Sequence, residues 1–200
     1  MAHVPRSDRT RVRREPKRGA YDRATIDAIL DEALICHVGF NVDGQPFVIP
    51  TIHARAGDVL YLHGSPASRM LRTLRDGVDV CVTVTLLDGI VLARSVYNHS
   101  MNYRSAVVLG RARELTDHGE KLHAMECVVE HVVPGRWAEA RQPNESEIKA
   151  TTILALGLEE ASAKVRTGPP IDFDEDLELP VWAGVIPLDL RRGRPYSESR

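Results

Sequence analysis

The chain has 200 residues, enough for one domain with a sizeable core. Hydrophobic residues make up 43% and charged residues 27%, an ordinary composition for a soluble globular protein. A net charge of −2 gives no global pull toward nucleic acid or an anionic membrane, and no apolar run approaches the ~20 residues of a membrane span.

Residues 1–20 form a basic arm, with seven Lys/Arg against two Asp/Glu. The arm lacks the apolar stretch of a secretory signal. It reads as a solvated, partly disordered segment, the alternative being an arm that folds over a partner subunit or an anionic ligand. The three cysteines, Cys36, Cys81 and Cys127, have no paired spacing, which fits a reducing cytoplasm. Cys81, in a strongly apolar run, reads as a core thiol.

Asp22 is placed to cap a helix over 23–34, whose apolar face is Ile26, Ile29, Leu30, Ala33 and Leu34. A first strand, 35–40, turns at Asn41-Val42-Asp43-Gly44 and returns as 46–55. Pro50 cannot donate to a ladder, so it belongs at an edge or bulge where another group approaches the backbone. Ala56-Gly57-Asp58 predicts a hairpin into a third strand, 59–63. That strand breaks at Gly64-Ser65-Pro66, and a helix follows over 67–75.

The run 78–87 reads as a β-branched strand, with a hairpin predicted at Asp88-Gly89 and a return over 90–97. After a polar break at 98–102 comes another strand, 103–115, in which Gly110 suggests a bulge. A helix follows from Thr116-Asp117 to about Val133, closed by Pro134-Gly135. On it His123, Cys127 and His131 recur at metal-ligand spacing. They stand off the apolar face without an obvious fourth ligand and read as a solvated or interface face, with no metal expected. A short helix or turn over 144–149 and a strand over 151–159 come next. Residues 160–180 read as a long irregular run. A last strand, 181–190, carries Trp182, and 191–200 form a flexible tail. Some seven or eight mostly antiparallel strands without βαβ alternation suggest a closed or partly closed barrel with peripheral helices.

The most informative stretch is 47–69. A strand gives way to a small-residue loop and a helix start carrying Ser65, Ser68 and Arg69. Unpaired N–H groups at a helix start, and a planar cationic fork beside them, suit a phosphate.

The motifs PFVIPTIHA, LYLHGSPASR, SMNYRSAVVLGRARELTD, VVPGRW, EASAKVRTGPP and VWAGVIPL occur in this order from about Tyr21 to Leu190. In that order they resemble the FMN-binding split-barrel proteins related to pyridoxamine 5′-phosphate oxidase, above all the branch with nitroimidazole-reductase-like members. The resemblance implies a mainly β, six-stranded antiparallel Greek-key split barrel over 21–190 with peripheral helices. It implies a cytoplasmic homodimer with FMN sites at the subunit interface, acting as an oxidoreductase on a small-molecule substrate. The flavin ring would lie along Val48, Ile49, Pro50 and Thr51. His63, Gly64 and Ser65 would lie under the ribityl chain, and Ser68, Arg69 and Met70 at the phosphate.

In the same resemblance, Tyr103, Arg104, Ser105 and Trp182 would come from the partner subunit. Arg94, Lys164 and Arg166 are further candidate cations. His63 would be the catalytic proton donor; the alternative is that it only hydrogen-bonds cofactor or loop. His53 is a second candidate, read more simply as a structural histidine. Met70 replaces a second basic residue of the oxidases, and the VWAGVIPL ending lacks their substrate-gripping Arg and His, which speaks against vitamin B6 oxidation. A flavin-sequestering protein, or a split barrel holding deazaflavin or haem, are the alternatives. No GxGxxG follows a strand to seat a nucleotide hydride donor.

Overall fold

The computed structural model describes residues 7–197; the first six residues of the basic arm and the last three of the tail lie outside them. The chain divides into two compact units. One comprises residues up to Leu86 with Ser105–Val165; the other comprises Leu87–Arg104 with the residues from Arg166 onward.

In the first unit, helix α1 (Arg23–Glu32) starts where Asp22 accepts a 2.8 Å hydrogen bond from the Thr25 amide. Ile26, Ile29 and Leu30 are buried beneath it. Strands β2 (Ile35–Val42) and β3 (Gln45–Ala56) pair in unbroken register from Ile35↔Ile52 to Val42↔Gln45. Asp43 and Gly44 between them have φ of 50° and 82°, the double left-handed geometry of a tight hairpin. Strand β4 (Val59–Gly64) pairs with β3 only from His53↔Leu62 to Ala56↔Val59, and along its full length with β8 (Thr152–Gly157). The remaining elements of this part are α2 (Arg69–Arg75), β5 (Asp79–Leu92), β6 (Ser100–Arg111), β7 (Arg113–Glu114) and α3 (His118–Val132). Two short helices follow, α4 (Arg136–Glu139) and α5 (Glu145–Lys149).

Three expectations are corrected here. The run 160–180 opens with a strand, β9 (Ala161–Arg166). Its buried members Ala161, Ser162 and Ala163 are small, so the segment lacks the β-branched signature while still fitting the sheet. β9 pairs with β1 (Gly19–Ala20), Thr10 is buried, and the Val12 amide donates to the Tyr21 hydroxyl at 2.9 Å. The described part of the basic arm is therefore anchored rather than solvated coil. The core thiol is Cys36, fully buried, with burial pushing its pKa up to about 12. Cys81 lies between buried Val80 and Val82, so strand alternation turns it to the other face.

Among the described residues ten strands join one sheet, in the order β1-β9-β6-β5-β2-β3-β4-β8-β7, with β10 (Gly184–Pro187) on β5. The architecture is mainly antiparallel β with few helices, as expected. The strand count and the linear path differ from a six-stranded ring.

In the second unit the hairpin predicted at Asp88-Gly89 is absent: β5 runs straight through both residues. Gly89 is not in the left-handed region. Its lack of a side chain serves a close approach instead. It pairs with Pro187 of β10, and a Cβ there would fall 2.8 Å from the Val185 side chain. The expected last strand, 181–190, shrinks to the four residues of β10. The strap after β9 is tied down by polar bonds. Buried Arg166 donates to Asn102 and to the Gly168 and Pro169 carbonyls. Asp172 accepts from the Arg94 amide at 2.8 Å and from its guanidinium at 2.7 Å.

Candidate functional site

The site is built on the part of β3 that β4 does not cover. Residues 45–52 pair with β2 on one side, and β4 takes up the other side only from His53 onward. A proline nitrogen facing β2 would break the ladder. Parity therefore puts the backbone polar groups of Pro46, Val48, Pro50 and Ile52 on the open edge. Their side chains share the outward face: Val48 is 66% exposed and Ile52 39%. Ile49 and Thr51, of opposite parity, are half-buried.

The loop after β4 reaches the same strand. The Arg69 guanidinium stacks over the Phe47 ring, 4.1 Å from its centre, and Phe47 stacks on Phe40. Ser68 caps α2, its hydroxyl accepting from the Leu71 amide at 3.4 Å. Ser65 accepts from Ala67, and its carbonyl from the Ser68 amide. Among the described residues, the Arg69 and Met70 amides have no acceptor, and Arg69 makes no ion pair. The Met70 side chain packs in the core, so only its N–H can serve a ligand. α2 has only seven residues, so its dipole adds little, and the charge on offer is that of Arg69.

His63 pairs with Ile153 at the end of β4, directly before Gly64 and Ser65. Its Nδ1 is buried without a partner, and burial lowers its pKa, so the ring is neutral at pH 7. The corner at the start of α2 fits a phosphate-bearing group on its cation and on its two free amides.

The remaining predicted residues stand in other settings. Tyr103 is half-buried, and Arg104 is engaged by Asp88 at 3.0 and 2.7 Å. Ser105 donates to the Lys164 carbonyl at 3.2 Å. Trp182 is 62% exposed and folds over Gly184, where a Cβ would meet its ring at 2.7 Å. Arg94 is paired with Asp172.

His53 is a satisfied structural histidine on one side only. Its Nε2 bonds the Leu30 carbonyl at 2.9 Å, its Nδ1 is orphaned, and burial lowers its pKa to about 4. His131, expected on a solvated or interface face, instead donates to the Ala33 carbonyl at 2.8 Å and lies against the His53 ring. The cause is its position in the last turn of α3, which meets the end of α1. Among the described residues no three His, Cys, Asp or Glu side chains gather for a metal. No helix there is long and apolar enough to cross a membrane. A hollow of ≈ 450 Å³ between Arg9, Asp79, Gly110 and Glu160 holds none of the predicted site residues.

Residues 22–165 match the Pyridoxamine 5′-phosphate oxidase family, and the chain belongs to it. Among solved structures it is similar to the flavocytochrome Anf3 from Azotobacter vinelandii. The two share 45% identity over 97% of this chain and 90% of that one, with a TM-score of 0.91. It is also similar to the FAD and haem binding protein from Mycobacterium smegmatis, at 37% identity over 90% and 89% of the chains, TM-score 0.87. A protein from Bacteroides thetaiotaomicron assigned to 5-nitroimidazole antibiotic resistance shares 26% identity over 74% and 86%, TM-score 0.61. No curated protein matches the chain.

Proposed function

We propose that the chain binds a flavin nucleotide at the open edge of β3 and uses it as an oxidoreductase on a small organic substrate. The observation that carries this reading is the meeting of an unpaired strand edge with a helix start whose cation and two amides are uncommitted. The edge offers four carbonyls, but N–H groups only from Val48 and Ile52, to the polar rim of a flavin ring. Arg69, with the Arg69 and Met70 amides, would take the phosphate. Neutral His63 stands next to them to hold or pass a proton from its ring N–H. Bound flavin would supply the electron and hydride chemistry, which the protein orients and tunes.

The family resemblance favours FMN; FAD carries the same phosphate and is bound by the M. smegmatis relative. Titrating the purified chain with each flavin, followed by fluorescence quenching, separates the two. Arg69→Ala is expected to weaken binding by ~1.5–3 kcal/mol, the worth of a hydrogen bond to a charged group. An unchanged titration removes Arg69 from the site.

We propose further that the protein works as a homodimer with Tyr103–Ser105 completing the partner's pocket. Support comes from the second unit, which exposes Leu87, Val96, Tyr97, Met101, Phe173 and Trp182. Light scattering on flavin-loaded protein is expected to give twice the chain mass, and a monomer contradicts it. A second reading, a flavin protein that also carries haem, is favoured by the two relatives named as a flavocytochrome and as an FAD and haem binding protein. Under either reading a flavin-sequestering role predicts flavin that no electron acceptor reoxidises.

A further inference from the structure

We propose that the basic arm of one chain docks on the acidic strap of a second copy and that its own strap receives the other arm in return. This rests on the homodimer reading above.

Both surfaces carry charge that the chain leaves unmatched. Elsewhere in the first unit arginines meet carboxylates: Arg23 pairs with Asp27 and Asp58, Arg55 with Asp31, and Arg111 with Asp79. Within the arm, Arg9 pairs with Glu160, and Glu15 with Lys17 and Arg18. Arg11, Arg13 and Arg14 are exposed and make no ion pair among the described residues. Arg11 and Arg13, with Asp8, Val12 and Pro16, line a hollow of ≈ 500 Å³. These cations are held in place. Thr10 is buried, and the Val12 amide donates to the Tyr21 hydroxyl. The Val12 side chain packs over Gly19, 3.1 Å from where a Cβ would stand.

The strap after β9 supplies the opposite charge. Asp174, Glu175, Asp176 and Glu178 crowd into one short stretch, and none of them makes an ion pair among the described residues. Asp174, Glu175 and Glu178 are exposed. Crowded like charges repel one another, so such a run gains from cations brought beside it. Its shape is set in the single chain. Asp172 is bonded to Arg94, and the Asp176, Leu177 and Leu179 amides donate to the Phe173, Asp174 and Asp176 carbonyls. Phe173, at the head of the acidic run, belongs to the exposed apolar surface that supports the dimer.

The occupant follows from both signs standing on one chain. An acidic partner would answer the arm and leave the strap bare, and a basic partner would do the reverse. A second copy answers both, and two-fold symmetry makes the contact twice. Two preformed surfaces lose little conformational freedom on docking, and their opposite charges steer the approach.

The test is co-expression of two differently tagged full-length chains, with the dimers sorted by native mass spectrometry. One chain carries Arg11→Glu, Arg13→Glu and Arg14→Glu; the other carries Asp174→Lys, Glu175→Lys and Glu178→Lys. With arms crossed, each variant repels its own copies at both contacts and attracts the other variant at both. The mixed dimer is then expected to exceed either same-variant dimer by ~10-fold or more, against the roughly twofold statistical excess of two tagged wild-type chains. Raising salt from ~0.05 M to ~0.5 M should shrink that preference, because screening shortens the reach of the charges. A single chain with all six changes regains the pairs with their signs exchanged and is expected to dimerise like the wild type. A statistical mixture overturns the proposal and leaves the dimer standing; arm and strap paired within one chain would give that same mixture. A six-change chain that is folded by circular dichroism yet monomeric also overturns it. Wild type that stays monomeric overturns the homodimer reading and this one together.

Discussion

The two units solve opposite problems. The first buries thirty hydrophobic residues, among them Leu60, Leu62, Leu71, Leu74 and Leu154; the second buries only Val91 and Ala93. Conversely, of eighteen large hydrophobic side chains exposed among the described residues, fourteen lie in the second unit. The first is held by apolar burial. The second is held by charge-assisted bonds, Arg166 to Asn102 and the strap carbonyls, Asp172 to Arg94, and Asp88 to Arg104. Such bonds fix a shape without hiding apolar surface. The lesson is a division of labour: one unit buries the apolar core, and the other leaves most of its large apolar side chains on the surface.

The sharpest way to break this comparison is to cut each unit once. Leu71→Ala in the first is expected to cost about 2–5 kcal/mol of unfolding free energy in urea, as a cavity in a packed core does. A cost near zero would mean that the core is not where stability resides. Acid should also separate the units. Burial lowers the pKa of His53 from 6.5 to about 4, and lowers that of His63 in the same direction. The unfolded chain then takes up protons first as pH falls below 6.5. The first unit therefore holds its full stability above that pH and loses on the order of 3 kcal/mol toward pH 4 through His53. His53→Leu should flatten that slope in denaturation midpoints measured from pH 7 to 4.

In the second unit the Arg94 amide, with its guanidinium, holds Asp172 below its ordinary 3.8. The contribution of Asp172 is present above that pH and lost only below it. Hydrogen exchange in the 166–176 strap should therefore stay slow at pH 4.5 while the first unit is already weakened. The smallest effect is expected from Leu179→Ser on the exposed surface, within about 0.5 kcal/mol by the same urea assay. A large loss there would show a hidden core in the second unit.

What was legible in the sequence was local. Asp22, Asp117 and Asn144 cap the helices they were read to start, because a cap acts within three residues. Pro50 signalled the open edge because its missing donor is a property of the residue itself. The errors came from partners far along the chain. Asp88-Gly89 is a good hairpin dipeptide, yet its glycine answers to β10, almost a hundred residues later. β9 was hidden because alanine and serine carry no strand preference and were recruited by the sheet. Arg104 gave no sign of Asp88, nor Arg69 of Phe47, nor His131 of Ala33. The orphaned Nδ1 of His63 shows only when the whole environment of the ring is known.

The prolines of β3 have one more effect. A bare strand border recruits other chains, and Pro46 and Pro50 deny an incoming strand two of the donors it would need. That border is thereby guarded against fibril-like stacking.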